Sequence, residues 1–139
     1  IYVNLHVKDV KRSMAFFTGL GFEFDLRFTD ENRAACLVVG ENIYVMLLQE
    51  EYLKTFTKRE VVDTDKYAQL TIAIAAESRE QVDEIVHKAV SLGGKRYTDP
   101  QDHGFMYQWG FQDPDGHIWE IAYMDIGAFE EMAKARGQA

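Results

Sequence analysis

Apolar and polar positions alternate strictly at the start of the chain. In YVNLHV (Tyr2 to Val7), Val3, Leu5 and Val7 share one face and Tyr2, Asn4 and His6 the other, the period of a strand. Asp9 then offers an N-cap, and Val10, Met14 and Phe17 recur at helical spacing until the glycines of GLGF stop the helix. FEFDLRF returns to period two, with Phe22, Phe24, Leu26 and Phe28 set against Glu23, Asp25 and Arg27, and predicts a second strand. RAACLVV and IYVMLLQ predict two more, joined by the turn residues Gly40, Glu41 and Asn42.

The second half repeats this order. QLTIAI (Gln69 to Ile74) reads as a strand, Ser78 with Gln81 as a capping box, and Val82, Ile85, Val86 and Ala89 as the apolar stripe of a helix that ends at Gly93 and Gly94. KRYTD, FMYQWGFQ and HIWEIAYM are short strand signals. Laid over one another, the opening strands pair Tyr2 with Gln69, Asn4 with Thr71 and His6 with Ala73. Between the halves, the charged segment Glu50 to Tyr67 is too long for a hairpin loop and reads as a short helix, a lid or a plain connector. The segmentation is thus one domain: a first module over 1–50, a linker over 51–67, a second module over 68–125, and a tail over 126–139 with a helical start. The predicted class is α+β. Two βαβββ modules form a curved mixed sheet with helices outside and an open concave face, because one helix per module shields one side only. That face must bind something, be filled by side chains, or meet another subunit.

Composition narrows the partners. Of 139 residues, 47% are hydrophobic, enough for a real core. The net charge of −8 argues against a nucleic-acid backbone or an anionic membrane as partner. No apolar run approaches the roughly 20 residues that span a bilayer. The single cysteine, Cys36, sits in an apolar run, reads as an inert core thiol, and fits a reducing cytoplasm.

Three stretches, VNLHVKDVKRSMAFFTGLGF, the repeated strand-helix unit, and FQDPDGHIWEI, resemble the vicinal oxygen chelate superfamily of glyoxalase I, fosfomycin-resistance proteins, bleomycin-binding proteins and extradiol dioxygenases. The likeness runs from about Tyr2 to Asp125. DHGFMYQWGFQDPDGHIWEIAYMD is similar to the bacterial proteins labelled predicted lactoylglutathione lyase. The resemblance implies a homodimer, and a metal site with one His or Glu from the first and last strand of each half. The matching positions here hold Tyr2, Met46, Gln69 and Glu120. Met and Gln are poor ligands for hard divalent ions, so the expectation is no cofactor and a metal site lost. A shifted site would have to use His6 and Glu120 with His103 or Glu50. In the nearest relatives an Arg often stands where this chain has Trp109, so that anion clamp is missing.

The remaining candidates follow strand parity. Glu120 is flanked by Ile118 and Ala122 on its face, an environment that favours an acid or base role or a hydrogen bond to a ligand. Pairing to His6, Asn4 or Gln69 is the structural alternative. His6 is its candidate catalytic partner or a hydrogen-bonded structural histidine. Asn4 and Gln69 either bond one another or read a polar ligand, and Tyr2, Tyr44 and Met46 complete the wall. Phe105, Tyr107, Trp109 and Phe111 form a stripe that is core or, through Trp109, a stacking platform. DPDG (Asp113 to Gly116) reads as a register-setting turn. Together these predict a small-molecule-binding or sequestering protein without a metal, with a glyoxalase-like lyase or a dioxygenase using Glu120 as the alternative.

Overall fold

The computed structural model describes residues 1–137; the last two residues of the tail lie outside them. The chain divides into two compact units, residues 1–69 with 113–116, and residues 70–112 with 117–137.

The first unit runs β1 (Tyr2–Val7), α1 (Val10–Gly19), β2 (Glu23–Phe24), β3 (Ala34–Gly40), β4 (Ile43–Gln49) and a one-turn helix α2 (Glu50–Leu53). Its strands lie in the order β1-β4-β3-β2, with β1 parallel to β4 and the other pairs antiparallel. Asp9 caps α1 as its side-chain type requires, accepting the Arg12 backbone N–H at 3.1 Å. The helix stops at Leu20, and Gly21 supplies the positive φ of 98° that lets Phe22 N–H return to the Phe17 carbonyl. Leu5, Val7, Phe17, Leu37, Val45 and Leu47 are fully buried between α1 and the sheet. Tyr2, Asn4 and His6 take the opposite face. Asn42 adopts φ 58° in the turn between β3 and β4, which asparagine tolerates.

The second unit runs β5 (Thr71–Ala75), α3 (Arg79–Ser91), β6 (Lys95–Asp102), β7 (Met106–Gln112), β8 (Ile118–Met124) and α4 (Ile126–Ala135). The order β5-β8-β7-β6 copies the first sheet, with β5 parallel to β8. Ser78 accepts the Gln81 N–H, and the Gln81 side chain turns back to the Glu77 N–H, closing a capping box one residue wide of the usual partner. Val82, Val86, Trp119 and Ile121 are fully buried under α3.

Two sequence expectations need correction. The strand read through FEFDLRF ends at Phe24, because the Asp25 carboxylate takes the Arg27 N–H and guanidinium and folds Leu26–Phe28 into a single 3-10 turn. The strand read from Gln69 starts at Thr71. Its parallel register sets Thr71 opposite Ile118, so Gln69 would face Gly116, which lies in a turn and offers no strand to pair with.

The DPDG turn does more than set register. Asp113 accepts the Asp115 N–H, while Asp115 is 6% exposed and turns its side chain into the packing of the first unit. Its carboxylate accepts the Lys8 backbone N–H at 2.9 Å, the Arg12 guanidinium at 2.8 Å and the Ser13 hydroxyl at 3.2 Å. The Thr64 hydroxyl donates to its carbonyl.

In the second unit, the Tyr107 hydroxyl donates to Asp83 on α3 at 2.6 Å, and Arg79 lies 5.4 Å from its ring centre. That bond to a carboxylate, with partial burial, pushes the Tyr107 phenol up to about 12. The neutral phenol is therefore favoured by folding. Its contribution to stability is full below pH about 10 and is lost as the pH rises through about 12. In a spectrophotometric titration, one of the seven tyrosines should ionise later than the rest, and Tyr107→Phe should delete that step. An unchanged titration curve in the variant would refute this assignment.

Candidate functional site

Cavities open on both units. One of about 430 Å³ lies on the face of the first sheet turned away from α1. Its floor is Asn4 on β1, Ala34 on β3, and Met46 and Leu48 on β4. The register places Asn4 beside Met46 and Met46 beside Cys36, so the three share this face. Cys36 is fully buried there, and burial together with the nearby Asp25 carboxylate pushes its thiol up, which leaves it a packing residue.

The walls come from the segments that departed from strand periodicity. Asp25 holds Arg27 by two side-chain bonds, at 3.0 Å to Nε and 2.7 Å to a terminal nitrogen. This pairing lowers the Asp25 carboxyl below its usual range and raises Arg27. The 3-10 turn so formed presents Phe28 and Thr29 to the cavity. Residues 30–34 close a tight loop, with Asp30 and Ala34 exchanging backbone hydrogen bonds and the Asp30 carboxylate accepting the Asn32 N–H. On the other element, Gln49 caps α2 by accepting the Tyr52 N–H. One turn on, Tyr52 meets Phe56 edge to face at 4.9 Å, and the Arg33 guanidinium lies 5.5 Å from the Tyr52 ring centre. Tyr52, Phe56 and Arg33 all line the cavity.

The remaining sequence-derived candidates are distributed as follows. Tyr2 and Tyr44 are register partners and stack at 4.8 Å with an interplanar angle of 18°. Gln69 is exposed ahead of β5. His6 is 7% exposed and lines a second cavity of about 330 Å³ with Lys8, Glu50 and residues of the 61–65 segment. Glu120 lines a third, about 160 Å³, with Tyr97, Gln108, Trp109 and Gly110. Its register partners are Ala73 and Gly110, so it is half-buried beside two small residues. Among the described residues its carboxylate receives no hydrogen bond. Trp109 faces the helix layer: its partner is the buried Ile121, its indole N–H donates to the Thr98 carbonyl, and His87 of α3 meets it edge to face at 5.2 Å. Its ring is thereby held against α3, and Trp109 also contributes to the lining of the cavity that carries Glu120. Among the described residues no group of three or more His, Cys, Asp or Glu is placed to hold a metal ion.

Sequence reasoning missed Arg33, Tyr52, Phe56 and Phe28. The signal for two of them was present, since Tyr52 and Phe56 stand one helical turn apart in EEYLKTF.

No curated protein matches the chain in sequence. Among solved structures, a hypothetical protein from S. aureus superposes with a TM-score of 0.77 at 23% identity, over 88% of this chain and 91% of that one. A lactoylglutathione lyase from Agrobacterium tumefaciens superposes with a TM-score of 0.65 at 16% identity, over 91% and 93%. The fosfomycin resistance protein FosX from Listeria monocytogenes gives 0.63 at 19%, over 88% and 90%. At these identities the likeness is one of fold. The family model for the Glyoxalase/Bleomycin resistance protein/Dioxygenase superfamily matches residues 1–121, and the chain belongs to that superfamily.

Proposed function

We propose that this chain binds and sequesters a small molecule without a metal ion, and that the cavity over the first sheet is its binding site. The observation that carries this reading is the cavity itself. It has the volume of a drug-sized ligand site, with Ala34, Met46 and Leu48 on its floor, aromatic walls, and polar groups on its lining that include Asn4, Thr29, Asp30 and Arg33.

The chemistry of the residues at the superfamily's metal positions supports the metal-free half of the reading. Tyr2 and Met46 in the first unit offer a phenol and a thioether, and Gln69 is an exposed amide outside any strand. The phenol and the thioether suit a hard divalent cation poorly, and the Gln69 amide oxygen, which could ligate one, lies ahead of β5 rather than on it. Glu120 alone supplies a carboxylate. A homodimer in the cytoplasm is the setting that the resemblance and the single cysteine suggest.

Elemental analysis of protein purified without chelator, paired with thermal shift, tests this. Metal should be substoichiometric, and EDTA should leave Tm unchanged, because nothing bound to the native state is being removed. A divalent ion near one per chain, with a Tm that falls on chelation, would overturn the reading in favour of a glyoxalase-like enzyme using Glu120.

A further inference from the structure

We infer that the ligand of the first-sheet cavity is an aromatic anion: a flat aromatic group carrying one carboxylate, with Arg33 as its charge partner. This rests on the cavity being the binding site and goes beyond it by naming the ligand's chemistry.

The charges of the lining are not equivalent. Arg27 is already held by Asp25 through two side-chain bonds. The Asp30 carboxylate is engaged by the Asn32 N–H in its own loop. Arg33 is different. Among the described residues it makes no ion pair and donates no side-chain hydrogen bond, and its guanidinium carbon lies over the Tyr52 ring, 5.5 Å from the ring centre. With no acceptor for them among the described residues, the Arg33 N–H donors are left for a ligand, and their planar fork suits a carboxylate. So a chain with a net charge of −8 places in this cavity one cation that, among the described residues, its own carboxylates leave unpaired. One such fork matches one carboxylate.

The aromatic half follows from the walls. Phe28 is 55% and Phe56 62% exposed although both line the cavity, and Tyr52 stands between Arg33 and Phe56 through ring contacts. Large apolar rings left open around a concave apolar floor gain most from covering by another flat ring, in offset or edge-to-face contact. Asn4, beside Met46 on the floor, supplies an amide donor and acceptor.

The test uses three probes with the same ring system on the intact protein: 2-naphthoate, its near-isostere 2-naphthamide, and the cation 2-naphthylmethylammonium, measured by calorimetry and by amide shifts of Asn4, Met46 and Tyr52. Naphthoate should bind roughly tenfold or more tighter than the other two, the worth of one charge-assisted hydrogen-bonded pair. Arg33→Gln should erase that advantage, so that naphthoate binds no tighter than naphthamide. Arg33→Lys, which keeps the charge and loses the fork, should restore part of it. Arg27→Gln should have a smaller effect. Arg33 is exposed, so these variants should fold, and circular dichroism checks that they do. Naphthamide binding as tightly as naphthoate, or no change in Arg33→Gln, would overturn the anion assignment while leaving the cavity as a site. Tightest binding of the ammonium would overturn it too and hand the charge role to Asp30. If none of the three binds and the three amides stay still, both this inference and the binding reading beneath it fail.

Discussion

Asp115→Ala is expected to lower the unfolding free energy by about 3 kcal/mol, a loss of about 10 °C in Tm for a domain of this size. The side chain is almost wholly buried, yet it carries three hydrogen bonds from one short stretch of the first unit, at Lys8, Arg12 and Ser13. Alanine leaves the Lys8 N–H without its acceptor, and a stranded donor costs more than the bond itself yields, while the Ser13 hydroxyl keeps only the Asp9 carbonyl, at 3.2 Å. Arg12 is the lesser loss, because its side chain is 45% exposed and can turn to water. Asp115→Asn should therefore fall between wild type and alanine, since an amide oxygen still serves the Lys8 N–H but not all three donors. Gly116 sharpens the requirement. It sits at φ 88°, and a Cβ there would lie 3.0 Å from the Thr64 carbonyl oxygen, so the backbone carrying Asp115 has little room to readjust. Urea titration of the three proteins measures these losses. A wild-type midpoint for Asp115→Ala would show that the carboxylate is not an anchor.

The fold was legible where periodicity and caps agreed. Asp9 and Ser78 cap α1 and α3, and Val82, Val86 and Ala89 form the stripe that α3 buries against the second sheet. It was illegible where one polar side chain overrode a pattern. Asp25 belongs to a faultless alternation, and its bonds to Arg27 still turn the chain out of the sheet. The cavity that this turn helps to build was hidden for the same reason. Asn4 and Met46 could be placed on its floor by parity, which needs only strands. Arg33, Tyr52 and Phe56 come from a loop and a one-turn helix, where side-chain direction has no period to read. Asp115 was read as an ordinary turn residue because its partners are about a hundred positions away in sequence.

Trp119 and Glu120 should respond in opposite ways to truncation, although they are neighbours on β8. Trp119 is fully buried in the layer beneath α3, with Phe111 and Ile72 as its register partners. Trp119→Ala removes an entire indole from a packed core and is expected to cost about 4 kcal/mol, more than the loss expected at Asp115. Glu120 points the other way, half-buried over Ala73 and Gly110, and among the described residues no donor depends on it. Glu120→Gln should change stability by less than about 0.5 kcal/mol, as for other sites that hold no buried partner. The contrast bears on function as much as on folding. A carboxylate kept at a position where the fold does not need it is a group available to a ligand or a reaction, whereas one whose loss unfolds the protein is already committed to structure. Equilibrium denaturation of both variants decides between these. If Glu120→Gln loses about 2 kcal/mol or more, its carboxylate is a structural acceptor, and its candidacy as an acid or base goes with it.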